Sequence, residues 1–344
     1  MRSGHEKTVN LLILSAIFLL GVCLHFFAGN FPKSVNVYPD EVRYYSIARD
    51  LYLHHTNTLR GASTDFQKLG YALFLAPFFA IEDAEARIRG ITLMNCMLMV
   101  SAVFPLWLIG RRLGLGRLQG LALCAFFLLW PDLLLSSTFM SEILYLPLMV
   151  WFFWLWMVAE ETRKPALYVL LGVLGYACYF TKEIALALFT GWGLYALLRP
   201  LLLRRKPEAG RAVRAALALL TFGTFLAIHI LLKLTVFHGL GNSYHQMSLD
   251  ALSSFAHVLF LLGTFLYQLL AILLSVLLLP VLFPAVHFSQ LKERTAKLYL
   301  FLLCFLVTAA GVISYTISVR EEFGRYPICL HFRYLGPALL LLLP

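Results

Sequence analysis

The chain has 344 residues, of which 60% are hydrophobic and only 13% charged, with a formal net charge of +10. Water-soluble domains carry about 25% charged residues, so a sizeable soluble domain is excluded. Nucleic-acid binding is excluded too, because the basic residues sit in short loops between apolar runs, the pattern of a membrane protein with its positive loops inside.

The N-terminus is basic, with Arg2 and Lys7, and is followed by an apolar run over 9–28. That run exceeds the roughly 7–15 residues of a signal-peptide core, so it reads as an uncleaved first span with the N-terminus inside. The polar segment 29–68 is then outside. The apolar piece 70–81 is too short to cross a hydrocarbon core of about 30 Å, and is expected at the interface or dipping into it. Span 2 covers 88–110 and ends inside at Arg111, Arg112 and Arg117. Span 3 covers 119–135 and ends outside near Pro131 and Asp132. Span 4 covers 141–159 and ends inside at Arg163 and Lys164.

Spans 5 and 6 cover 166–180 and 184–198, with Thr181, Lys182 and Glu183 between them outside. The next inner loop holds Arg199, Arg204, Arg205, Lys206, Arg211 and Arg214. Span 7 covers 215–236, and Lys233, near its outer end, is expected to snorkel to the interface. An outer loop follows with His238, Asn242, His245 and Asp250. Span 8 covers 256–284 and span 9 covers 298–317, with Lys292, Arg294 and Lys297 inside between them. A charged outer loop runs from Arg320 to Arg333, and the final apolar run 335–344 is too short to cross, as in a fragment or an incomplete last helix.

The expected fold is all-α: a single polytopic bundle of nine or ten spans with an amphipathic membrane-surface helix after span 1. This topology leaves 16 basic residues inside, 11 outside and Lys233 within a span. The 11 outside need a reason, because such residues are disfavoured there. Six scattered cysteines form no CxxC and no disulfide framework. The outer histidines His238, His245 and His331 match no metal-ligand spacing.

The chemistry concentrates just after span 1, in Tyr38-Pro39-Asp40-Glu41-Val42-Arg43-Tyr44 and the following Ile47-Ala48-Arg49-Asp50-Leu51. Tyr44, Ile47, Ala48, Leu51 and Tyr52 recur at helical spacing. Asp40 opens this helix, either as an N-cap with Glu41 complementing the dipole, or as a carboxylate that removes a proton from an incoming hydroxyl or amine. Glu142, after Ser141, either caps span 4 or supplies a second outer carboxylate. Lys68 and Lys182 either snorkel or bind an anion.

This pattern resembles the first external loop of GT-C glycosyltransferases, most of all the bacterial lipid A aminoarabinose transferases and the protein O-mannosyltransferases. The likeness continues in Phe66-Gln67-Lys68, Ser141-Glu142, Tyr179-Phe180-Thr181-Lys182 and His331-Phe332-Arg333-Tyr334-Leu335-Gly336-Pro337. It implies a multi-pass membrane enzyme that transfers a sugar from a polyprenyl phosphate to a lipid, glycan or protein acceptor at the outer face, with inversion. It assigns Asp40, Glu41 and Glu142 to the catalytic group and Lys68, Lys182, Arg43 and Arg333 to the lipid phosphate. The family's metal-binding glutamate is replaced by Gln67, which puts a divalent metal in doubt. The likeness also implies a bacterial plasma membrane. The competing class is a transporter or flippase of lipid-linked sugars, which predicts ionisable groups near mid-membrane at broken helices. A scaffold or degenerate enzyme is the third possibility.

Overall fold

The computed structural model describes residues 4–29, 39–64, 66–203, 211–236, 254–275 and 291–318. Apart from one two-stranded hairpin, the regular structure of these residues is helical. Seven helices are long and apolar enough to cross a membrane: Thr8–Gly29, Ala84–Leu113, Glu142–Thr162, Glu183–Leu202, Ala212–Thr235, Phe255–Leu274 and Glu293–Ile317. They match expected spans 1, 2, 4, 6, 7, 8 and 9, with the second part of span 8 outside the described residues. Span 3 is a bent pair, Arg117–Phe127 and Pro131–Ser137 at 50°, and span 5 is the 17-residue helix Pro165–Thr181. The protein is therefore an integral, multi-pass, all-α membrane protein.

Two units make up the chain. The first comprises 1–154 together with Phe180–Lys182. Its helices are α1 (Gly4–Gly29), α2 (Pro39–His54), α3 (Gly70–Leu75), α4 (Ala84–Val100), α5 (Val103–Leu113), α6 (Arg117–Phe127) and the start of α7 (Glu142–Thr162). Prolines set the breaks. Pro105 has no N–H and crowds the carbonyl four residues back, which separates α4 from α5 at Ser101 and Ala102. Pro131 forces Trp130 into an extended conformation, which ends α6 and starts the 3-10 turn Pro131–Ser137. The carbonyl of Leu128, freed at that break, accepts a hydrogen bond from His25 Nε2 at 2.9 Å. Pro77 tightens the end of the short apolar piece into the 3-10 turn Ala76–Ala80.

Helix α1 runs antiparallel to α4. Phe18 meets Phe104 at 5.3 Å between ring centres, Gly21 packs on Val100, and Gly29 packs on Thr92. Gly21 also touches Leu128 and Gly29 touches Ser137, so the broken span runs parallel to α1. Gly29, Thr92 and Ser137 thus share one end of this unit, as alternating spans require.

The strands β1 (Thr58–Leu59) and β2 (Ala62–Ser63) form a hairpin directly after α2. Asp50 closes it, accepting from the Thr58 hydroxyl at 2.6 Å and the Gly61 N–H at 2.9 Å. The Thr58 hydrogen bond, aided by Gly61, holds the Asp50 carboxyl below its ordinary pKa despite burial.

The second unit comprises 155–179 and 183–344. It holds the rest of α7, α8 (Pro165–Thr181), α9 (Leu186–Leu202), α10 (Arg211–Thr235), α11 (Phe255–Ser275) and α12 (Glu293–Ser318). Gly191 of α9 lets α12 approach closely: a Cβ there would lie 2.8 Å from the Phe305 Cα, and Thr308 Oγ1 donates to the Ala187 carbonyl at 3.0 Å. Glu160 pairs with Arg199 and with Arg214 at 3.7 Å, while Glu161 pairs with Arg294 at 3.0 Å. These contacts gather the end of α7, the end of α9 and the starts of α10 and α12 on one face, as the loop charges suggested.

Lys233 departs from expectation. It is only 4% exposed rather than snorkelling.

Candidate functional site

Most of the candidate residues converge at the Gly29 end of the first unit. Helix α2 begins with Pro39, whose fixed φ suits the first helical position. Asp40 therefore lies inside the first turn rather than capping it. Its carboxylate is about half exposed and faces Arg43 at 3.7 Å, one turn along. The Arg43 guanidinium also lies over the Phe66 ring at 5.4 Å. Glu41, one residue on, is 1% exposed and accepts the Phe139 N–H at 2.8 Å.

That bond pins the segment leading into α7. The Phe139 ring stacks on Tyr45 at 5.9 Å, and the Thr138 carbonyl accepts from Asn95 Nδ2 at 2.9 Å. Asn95 in turn accepts from the Tyr71 hydroxyl at 3.0 Å. Tyr71 is fully buried, and burial pushes its phenol well above the ordinary value, with Glu41 and Glu142 adding to the effect. It remains a neutral donor flanked by two carboxylates.

Glu142 is fully buried at the first position of α7, and its Oε2 meets Lys182 Nζ at 2.7 Å. Ser141 Oγ sits 3.3 Å from each partner, donating to the carboxylate and accepting from the ammonium. The two residues given separate roles by the motif are thus one ion pair. Its desolvation is offset by Coulomb attraction and by the hydroxyl.

Lys68 is buried as well, two residues before Gly70. Gly70 lies against Thr181 so closely that a Cβ would fall 2.5 Å from Thr181 Oγ1 and 3.0 Å from its Cα. The Gln67-Lys68 and Thr181-Lys182 segments, over 110 residues apart in sequence, therefore abut. Neither lysine snorkels. Arg333, His238, His245 and His331 lie outside the described residues.

Tyr71 and Asn95 carry contacts that motif reading passed over, and Ser141 was read only as the residue before Glu142. An asparagine within an otherwise apolar span was the available signal, because a buried amide in a span needs partners. Asp132, bonded by the Trp130 indole N–H at 3.1 Å, is a further acid within electrostatic reach of Glu142. Among the described residues, no three His, Cys, Asp or Glu side chains converge as a metal-ligand set.

Compared with known proteins, the chain matches no family model and no curated protein.

Proposed function

We propose that the chain is a GT-C-type glycosyltransferase that moves a sugar from a polyprenyl phosphate to an acceptor at the membrane face where α2 lies. The observation that supports this most is the meeting of four separate segments, around Glu41, Lys68, Glu142 and Lys182, at one end of one unit beside an accessible carboxylate, Asp40. In this reading Asp40 takes the proton from the acceptor hydroxyl or amine as that atom attacks the anomeric carbon. The bond from that carbon to the phosphate oxygen breaks, and its electron pair leaves with the polyprenyl phosphate. One displacement inverts the centre. Lys68, Lys182 and Arg43 receive the phosphate charge, with Glu142 and Ser141 orienting Lys182 and Glu41 positioning the start of α7. Arg333 joins the phosphate group by motif alone. No step is assigned to a metal ion, since a neutral amide, Gln67, is a poor ligand where the related enzymes carry an acid.

The test supplies purified protein in nanodiscs with radiolabelled polyprenyl-phosphate sugars and a membrane lipid extract. Wild type should transfer label, and Asp40→Asn should lose about 10²-fold or more. A transporter reading draws on the 50° break between α6 and the Pro131–Ser137 turn, since transporters build sites at broken spans. Lipid-linked sugar scrambling that survives Asp40→Asn, with no transfer by wild type, would establish that reading instead.

A further inference from the structure

The hairpin after α2 puts cations where the backbone resists them. Its two-residue loop, Arg60-Gly61, has φ of 55° and 79°. Positive φ at both central residues marks a type I′ turn, which favours asparagine or aspartate followed by glycine. Gly61 fits; Arg60 is strained. His55, just past the end of α2, has φ of 54°, in a place where glycine or asparagine ends a helix without strain. Two non-glycine residues in the left-handed region within six positions, both basic and both exposed, are an outlier of the kind that points to function.

Their surroundings define a surface. Arg49 and His54 are also exposed, as are the apolar side chains Tyr52 and Leu53, at 39% and 49%. No acidic residue occurs in 51–64. Of the two acids that flank that stretch, Asp50 is turned inward and accepts from Thr58 and Gly61, and Asp65 lies outside the described residues. The opposite face of α2 packs through Tyr44, Ile47 and Ala48, which fixes the direction in which the basic face points. Asn57 Nδ2 bonds the Phe66 carbonyl at 2.8 Å and anchors the hairpin base.

Basic side chains interleaved with Tyr and Leu beside a hydrogen-bonded hairpin match the chemistry of a bilayer interface: headgroup phosphates for Arg49 and Arg60 with the imidazoles as hydrogen-bond partners, the acyl boundary for Tyr52 and Leu53. We propose that Arg49, His54, His55 and Arg60, with Tyr52 and Leu53, form a docking surface for anionic phospholipid headgroups, separate from the cluster around Glu142. The surface also gives a reason for Arg49 and Arg60 among the basic residues expected outside.

The experiment measures amide exchange of 50–64 in the full protein in two nanodiscs, one of phosphatidylcholine and one with added phosphatidylglycerol. Wild type should gain protection in the anionic disc. Arg60→Asn suits the turn better, so it should keep or raise the melting temperature in neutral lipid while losing about fivefold of the lipid-dependent protection. Arg60→Lys keeps the charge with similar strain and should retain most of it. Equal protection in both discs, or an Arg60→Asn response matching wild type, overturns the proposal. So does protection that requires a soluble acidic glycan or peptide rather than the anionic lipid. The reading of these outcomes does not depend on sugar transfer.

Discussion

A helical step of 100° separates Asp40 from Glu41, and it sends one carboxylate toward solvent and the other into the protein. Asp40 is half exposed, as the proposed proton transfer requires, whereas Glu41 accepts the Phe139 amide. Glu142 and Lys182 are committed to each other. Removing one member of a buried pair leaves a charge in low dielectric and costs about 3–5 kcal/mol, while removing both is far less harmful. Glu142→Gln and Lys182→Met should therefore each lower the melting temperature in detergent by several degrees, and the double variant should recover much of the loss. Additive losses would mean that the two side chains act independently. Little of this was legible beforehand. The residue types at 40, 41, 68, 142 and 182 announced a site, but Glu41 bonds across 98 positions and Lys182 across 40, and such partners follow from packing, not from local pattern.

At the scale of helices the sequence was far more informative, because span length and apolarity are local properties. Seven of the nine expected spans have a helix long and apolar enough to cross, span 3 is a bent pair and span 5 a shorter helix, and the breaks fall where Pro105 and Pro131 require them. Close packing was the hidden part. Gly191 reads as an unremarkable residue of span 6, yet it sets the approach of α9 to α12. Gly191→Ala should drive a methyl into the Phe305 backbone and cost about 1–3 kcal/mol, seen as a lowered melting temperature. Gly193→Ala, where a Cβ meets nothing within 4 Å, serves as the control and should be neutral or slightly stabilising. The pairing of Glu160 and Glu161 with Arg199, Arg214 and Arg294 was also illegible to charge counting, which treats each loop separately and does not see that neighbouring loops neutralise one another.

For the whole molecule, the proposed orientation is tested most simply on a single helix. α7 carries Glu142 at its start and Glu160 near its end, about 27 Å apart at 1.5 Å per residue, nearly the thickness of a hydrocarbon core. A helix of that length is long enough to cross, and from the loop charges we propose that its Glu160 end is inside. In a cysteine-free background, Thr56→Cys should react with an impermeant maleimide on intact cells, and Lys164→Cys only after permeabilisation. The reverse result would invert the orientation and move the proposed sugar transfer to the cytoplasmic face.

The Glu142–Lys182 pair also constrains how the chain is made. Translation proceeds at about 5–20 residues per second, so the 40 residues between them take roughly 2–8 s to appear. During that interval Glu142 has been made and its partner has not. The pair can close only once Lys182 has returned at the end of α8, so the contact that holds the Phe180–Lys182 segment in the first unit follows the making of both α7 and α8.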